Sequence, residues 1–96
     1  IVGTVSGTDI SFGTAVVFES ATADHTKATF DSNSNKVVIA YRDRGNSNYG
    51  TAIVGTVSST AISFGTAVVM EETHSYNLEP VFDSCYSSFS FKSRYI

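Results

Sequence analysis

The sequence has no tryptophan and no glutamine, and it has a single cysteine (Cys85), a single proline (Pro80) and a single leucine (Leu78). One cysteine cannot close a disulfide within the chain. Ninety-six residues build one small domain at most, and a core of that size gives limited stability by itself. We therefore expect assembly to supply the stability that disulfides cannot.

Charge is also scarce and evenly spread. The net charge is -3, and acidic and basic residues are scattered rather than clustered. This distribution lacks the basic footprint that nucleic acids and anionic membrane surfaces attract. No apolar run approaches the roughly 20 residues that cross a bilayer. We expect a soluble protein with no nucleic-acid partner and no membrane partner.

The first residue is Ile1 rather than Met, which we interpret as the sign of a processed or excised product. A removed signal peptide would produce such a start and would favour an extracellular location. A laboratory fragment is the alternative.

The abundant residue types are those that favour β-strands. Val, Ile, Thr, Ser, Phe and Tyr dominate the chain, whereas strong helix formers are few. β-branched and aromatic side chains fit the pleated surface of a sheet. The composition predicts an all-β protein.

A phrase of seventeen residues occurs twice. The chain reads "IVGTVSGTDISFGTAVV" from Ile1 and "IVGTVSSTAISFGTAVV" from Ile53, with differences at two positions. The same offset of 52 residues aligns the "FDS" that starts at Phe30 with the "FDS" that starts at Phe82. The chain therefore contains nearly two copies of one structural unit.

Turn residues divide each unit into four short segments of strand length. The predicted strands cover residues 25–31, 36–42, 51–57 and 61–70. The second segment is apolar on both faces in its middle, as in a strand that is covered on both sides. A repeat of about 40–50 residues that forms a four-stranded antiparallel meander is typical of a β-propeller blade. A single β-sandwich is the alternative.

The phase of the repeat divides the chain into an outer half-blade (1–19), a complete blade (20–71) and a divergent inner half-blade (72–96). The two halves are complementary. We expect copies of the chain to join through them and close a ring, because closure removes free sheet edges. Propellers usually have 4–8 blades, so three copies with six blades are the first choice, and two or four copies are alternatives.

The chain resembles tandem-repeat β-propeller proteins, including small lectins that assemble a ring from two-blade chains. The resemblance covers residues 1–84 and rests on "ATFDSNSNKVVIAYRD" together with the duplicated phrase. It implies a blade scaffold and self-assembly. The tryptophan-rich sugar sites of those lectins have no counterpart here, because the chain contains no Trp.

The C-terminal segment departs from the repeat. Pro80 stands where the first copy has Ala28, and proline in a strand belongs at an edge or at the start. The final "SFSFKSRYI" alternates Phe89, Phe91 and Tyr95 with polar residues. This pattern predicts a strand with one dry and one wet face. An altered end that only tolerates the fold is the alternative.

Candidates for chemistry are few. His25 and His74 are not equivalent in the repeat and show no metal-binding spacing, so we expect exposed loop histidines. Cys85 has no sequence sign of a partner base. No nucleophile or phosphate motif is present. We expect neither enzymatic activity nor a cofactor or metal.

The segment "DSNSN", which starts at Asp31, begins like a calcium loop. Lys36 stands at its sixth position and Arg42 at its twelfth, where such loops need glycine and glutamate. Asp and Asn also form turns by bonding their own backbone. The segment is therefore predicted to be a turn.

The loop "YRDRGNSNYG" concentrates polar groups that bond sugar hydroxyls, and a tyrosine that stacks on sugar rings. Its candidate ligand-binding residues are Arg42, Asp43, Arg44, Asn46, Asn48 and Tyr49. A solvated loop with a charge cluster is the alternative. Two hypotheses follow, namely a lectin-like carbohydrate-binding module and a structural repeat or protein-interaction scaffold without a small ligand.

Overall fold

A computed structural model of the chain describes residues 1–74, 76–83 and 88–94. The regular structure in these residues is β-strand throughout, and the strands pair antiparallel, so the all-β prediction is confirmed. The predictions for Cys85 and Tyr95 fall outside the described residues. The strands are β1 (Gly3–Ser6), β2 (Asp9–Phe12), β3 (Ala23–Asp31), β4 (Lys36–Asp43), β5 (Tyr49–Ser58), β6 (Ala61–Phe64), β7 (Val68–His74), β8 (Tyr76–Asp83) and β9 (Ser88–Arg94).

The central sheet is a meander of β3, β4 and β5, with β6 and β7 following one another along the far edge of β5. The prediction of a single strand over 61–70 is wrong. β6 pairs with the end of β5, and β7 pairs with its beginning. Between β6 and β7 the Gly65 N–H donates to the carbonyl of Val54 at 2.9 Å, and the β5–β6 ladder ends here.

The first strand of this sheet begins at Ala23 and contains a bulge between Asp24 and Lys27. His25 lies in this bulge with a φ of 51° and is half-buried. The expectation of an exposed loop histidine is therefore wrong for His25. The extra residue of a bulge interrupts the ladder, and it allows a left-handed conformation that a regular strand excludes. His74 is the last residue of β7.

The core lies on both faces of β4. Ala40 and Tyr41 are consecutive and therefore point to opposite faces, yet each is 0% exposed. Val38 shares the face of Ala40, and Ile53 of β5 pairs with Ile39 on the face of Tyr41. The prediction that the middle of this strand is covered on both sides is confirmed.

The N-terminal hairpin has the geometry of the central one. Gly3 pairs with Phe12 in β1–β2 as Gly55 pairs with Phe64 in β5–β6. The Gly13 N–H also donates to the carbonyl of Val2 at 2.9 Å, which repeats the Gly65 bond at the offset of 52 residues. The sequence repeat is thus a repeat of register.

The C-terminal hairpin β8–β9 has the register of β3–β4 even though its sequence has diverged. Pro80 pairs with Phe91, and the equivalent residues Ala28 and Ile39 pair in β3–β4. The bulge of β3 recurs in β8, between Tyr76 and Glu79. β8 and β9 form a two-stranded sheet, and β8 lies close to β3 and β4. Pro80 therefore stands in a strand with one ladder partner, where proline is tolerated.

The β1–β2 and β5–β6 turns differ in one residue that matters for backbone strain. Gly7 and Ser59 occupy the first turn position with φ values of 63° and 57°. Glycine adopts this conformation at little cost, whereas other L-residues lose about 1 kcal/mol or more. A Cβ at Gly7 would meet no heavy atom within 4 Å, so only the backbone distinguishes the two turns.

Replacing Ser59 by glycine should stabilise the protein. We expect Ser59→Gly to raise the free energy of unfolding by about 0.5–1 kcal/mol, because relief of the left-handed strain exceeds the added entropy of the unfolded chain. Urea denaturation at fixed protein concentration measures the change. Gly7→Ser is the matched control and should shift the midpoint the other way. A lower midpoint for Ser59→Gly would contradict the argument.

Candidate functional site

The predicted ligand-binding loop is shorter in the structure than in the sequence analysis. Asp43 ends β4 and Tyr49 begins β5, so that residues 44–48 form the connection. The Asn46 N–H donates to the carbonyl of Asp43 at 3.1 Å, and the Tyr49 N–H donates to the carbonyl of Asn46 at 3.0 Å. Asn48 has a φ of 59°, which asparagine tolerates well. Two backbone hydrogen bonds therefore define the turns of the loop.

Arg42 is engaged in an ion pair rather than offered to solvent. Its Nη2 lies 2.7 Å from Oδ2 of Asp24, and its side chain is 12% exposed. Nη1 of Arg44 approaches the same oxygen at 3.5 Å from a side chain that is 55% exposed. The hydrogen bond from Arg42 is the main cause that lowers the pKa of Asp24. Asp24 thus holds both arginines.

Asp43 points to the opposite face and is buried. Its Oδ1 accepts a hydrogen bond from the Gly45 N–H at 2.9 Å. Burial raises the pKa of the Asp43 carboxyl, and the negative charge of Glu19 raises it further. Asp43 therefore shapes the loop from inside.

The carboxyl groups of Glu19 and Asp43 lie together beside the Tyr41 hydroxyl, and we call these three residues the carboxyl cluster. Oε2 of Glu19 accepts a hydrogen bond from the Tyr41 hydroxyl at 3.0 Å, and Oε1 accepts one from the Ala21 N–H at 3.1 Å. The Ala21 bond is the main cause that lowers the pKa of Glu19. Burial is the main cause that raises the pKa of Tyr41. The two carboxyl pKa values move apart, so the cluster retains one proton to higher pH than an isolated aspartate would.

Aromatic packing fixes the cluster in place. The ring of Phe18 meets that of Tyr41 edge to face, with centroids 5.2 Å apart. The same ring lies 6.0 Å from that of Phe64 in β6. Each such pair contributes about 0.5–1.5 kcal/mol beyond its buried area. The segment after β2 is thereby attached to the face of the central sheet that carries Tyr41.

Successive side chains of β4 point to opposite faces of the sheet, and this separates the predicted site residues. Arg42 and Asp43 are adjacent in sequence, but Arg42 bonds Asp24 on one face and Asp43 lies beside Glu19 on the other. They do not converge on one ligand. The local sequence gives no signal for either partner, since the bulge of β3 brings Asp24 opposite Arg42 and Glu19 reaches Tyr41 from 22 residues away.

The remaining candidates form the surface of the loop. Arg44 and Asn46 are exposed, and Asn48 and Tyr49 are half-buried. Arg44 is positioned by its carboxylate neighbour and also by its backbone N–H, which donates to the carbonyl of Thr22 at 3.0 Å. A guanidinium with a fixed base and open N–H groups can donate hydrogen bonds to hydroxyls or anions.

The Asp31 segment is a turn, as predicted. Oδ1 of Asp31 accepts hydrogen bonds from the N–H groups of Asn33 at 2.9 Å and Ser34 at 3.1 Å. Oδ2 accepts one from the Ser34 hydroxyl at 2.6 Å, and this bond is the main cause that lowers the pKa of Asp31. The carboxylate therefore serves the turn between β3 and β4.

The described part of the chain contains neither a cluster of metal ligands nor a helix that could span a membrane. Among the side chains that the structure describes, those of residues 1–70, 72 and 80, no three of His, Cys, Asp or Glu gather as a metal site would require. Over residues 1–74, 76–83 and 88–94, no helix has the length and apolar character needed to cross a membrane.

Comparisons with known proteins add no assignment. No protein-family model matches the chain, and neither a curated protein nor a solved structure matches it. The geometry of the chain is therefore the basis for a functional proposal.

Replacing Asp43 by asparagine tests the carboxyl cluster. The variant keeps an oxygen for the Gly45 N–H and removes the charge that opposes Glu19. Because the folded pKa of Asp43 is raised, the stability from its protonated form is complete below the unfolded pKa of about 3.9 and is lost as pH rises through the folded pKa. We expect the Tm of Asp43→Asn to exceed that of the parent by a margin that grows from pH 4 to pH 7.

Thermal unfolding followed by circular dichroism at each pH measures this margin. Asp9→Asn is the control for the loss of one charge, since Asp9 is exposed on β2. A Tm of Asp43→Asn below that of the parent at pH 7 would show that the ionised carboxylate is needed in the fold.

Proposed function

We propose that the chain is a non-catalytic repeat module of the β-propeller type that assembles with copies of itself. The observation that carries this proposal is an uncovered apolar face on the β1–β2 hairpin. Its equivalent on the β5–β6 hairpin is partly covered within the chain.

The two faces of the β1–β2 hairpin differ in polarity. Val5, Ile10 and Phe12 lie on one face and are 71%, 56% and 60% exposed. The opposite face is polar and consists of Thr4, Ser6, Asp9 and Ser11. A two-stranded hairpin with one bare apolar face is marginal in water, and such patches mark sites of association. The apolar face therefore needs a partner.

The equivalent face of the β5–β6 hairpin is partly covered by Phe18. Val57, the equivalent of Val5, is only 38% exposed, and Phe64, the equivalent of Phe12, is half-buried against Phe18. The repeat aligns Phe18 with Met70, which follows the central hairpin as Phe18 follows the first. We propose that Met70 of one copy covers Phe12 of the next.

The exposed surface and the radius of gyration of the chain are larger than those of a compact domain of its size. It exposes 6167 Å² of surface, whereas a compact chain of its mass exposes about 5,400 Å². Its radius of gyration is 14.2 Å, against about 12.5 Å for a compact domain of this length. The excess surface and extent support burial against other copies.

The size of the assembly follows from the repeat. Each copy supplies one complete unit and two complementary halves, which is two blades in the propeller interpretation. Propellers have about 4–8 blades, so we propose a trimer with six blades. Such a ring pairs the edges at which each copy leaves a blade half complete.

Light scattering coupled to size exclusion tests the assembly. We expect a mass of about three times 10.3 kDa at micromolar concentration. Phe12→Lys should shift the mass to that of a monomer, because it places a charge on the apolar face. Ser11→Lys puts the same charge on the polar face and should leave the assembly intact. A parent protein that stays monomeric at these concentrations would refute the proposal.

A second candidate function is lectin-like carbohydrate binding through the exposed part of the 42–49 loop. The observation in its favour is the position of Arg44, whose exposed guanidinium is anchored by Asp24 beside the exposed Asn46. A trimer would present this loop three times, which raises the avidity for multivalent glycans.

Retention on a glycan array tests this second candidate. Arg44→Ala should reduce retention at least tenfold, because a positioned charged donor is lost. Lys27→Ala removes another exposed cation, on β3, and should leave retention unchanged. If the parent protein binds no glycan on the array, the lectin-like function is refuted and the scaffold function stands.

A further inference from the structure

Two of the strand edges that lack a ladder partner in the described structure belong to β1 and β9. β1 pairs only with β2, and β9 pairs only with β8. Their equivalents at the offset of 52 residues are β5 and β4, which pair with each other in the central sheet. The structure therefore contains the ladder that these edges lack.

We infer that a second copy of the chain completes the C-terminal hairpin by strand addition, so that its β1 pairs antiparallel with β9 in the register of the β4–β5 ladder. This inference rests on the proposed self-assembly and specifies its contact. The register pairs Ile1 with Phe91, Val2 with Ser90 and Gly3 with Phe89.

The register follows from the constancy of the offset. The two N-terminal strands repeat β5–β6 pair for pair, and the two C-terminal strands repeat β3–β4 pair for pair, including the bulge. Both half-sheets are therefore in phase with the central sheet. A one-residue slip between β9 and β1 would turn Val5 and Phe12 to the wrong face, so the apolar pattern also selects this register.

The new ladder includes at least three residue pairs. Seven residue pairs join β4 to β5, and three of them have equivalents between β9 and β1. The other four involve the equivalents of Tyr49, Gly50, Thr51 and Ala52, which would stand before Ile1. The apolar face of the β1–β2 hairpin adds buried area to these pairs in the association.

Disulfide capture between two chains tests the register. In a Cys85→Ser background, a chain with Val2→Cys is mixed with a chain with Ser90→Cys under mild oxidation. Directly paired strand positions lie within disulfide reach, whereas positions two residues out of register lie beyond about 7 Å between Cα atoms. We expect a covalent heterodimer on non-reducing gels. The matched control uses Ser88→Cys in place of Ser90→Cys and should form at least tenfold less.

The outcomes separate this inference from the proposed function. An assembly that light scattering detects but that cross-links equally or better through Ser88→Cys would overturn the register and leave self-assembly standing. An assembly that cross-links through neither position would overturn strand addition as well. A mixture that stays monomeric would overturn both.

Extension of the ladder is a second test. The residues "YGTA", which precede Ile53, are placed before Ile1 so that the ladder gains equivalents of the other four β4–β5 pairs. We expect the concentration at which the assembly dissociates to fall at least tenfold relative to a "GSGS" extension of the same length. Equal dissociation of the two extended chains would overturn strand addition between β1 and β9.

Discussion

The burial of Tyr41 is the constraint on which the rest of the structure depends. Its ring is fully buried in the middle of β4, so its hydroxyl needs a hydrogen-bond acceptor inside the protein. Glu19 supplies that acceptor, and Phe18 packs against the ring. Because both residues belong to the segment after β2, one buried side chain attaches the N-terminal unit to the central sheet. Burial is the main cause that raises the pKa of Asp43, and the charge of Glu19, which this contact holds nearby, raises it further.

The two faces of the central sheet have different electrostatic roles. On the face of Tyr41, two carboxyl groups are brought together in a partly dry environment. On the other face, Asp24 pairs with Arg42 and also attracts Arg44. The partly exposed pair is worth about 0–1 kcal/mol, so its main effect is to fix the direction of the arginines. The loop at the end of β4 is therefore held by side chains on both faces, and only its surface is left for a ligand.

Much of the fold could be predicted from local patterns. Alternation and turn residues located β4 and β5 to within two residues. The duplicated phrase predicted that one structural unit occurs twice, and the hairpins β1–β2 and β5–β6 have equal registers at the offset of 52 residues. The candidate site was less predictable. A cluster of polar letters around Asp43 does not show that successive side chains of a strand leave on opposite faces and find different partners. Glu19 gave no local signal, since its partner lies 22 residues away.

The sequence by itself determined the all-β class, the positions of β4 and β5, and the repeat, because these depend on period-two alternation, turn chemistry and identity between segments. Only the tertiary structure decided that β6 and β7 are separate strands and that His25 sits in a bulge. It also decided which face of β1–β2 is left bare, since Phe18 covers Phe64 but not Phe12. These features depend on contacts between segments distant along the chain, and no local periodicity encodes the path that brings such segments together.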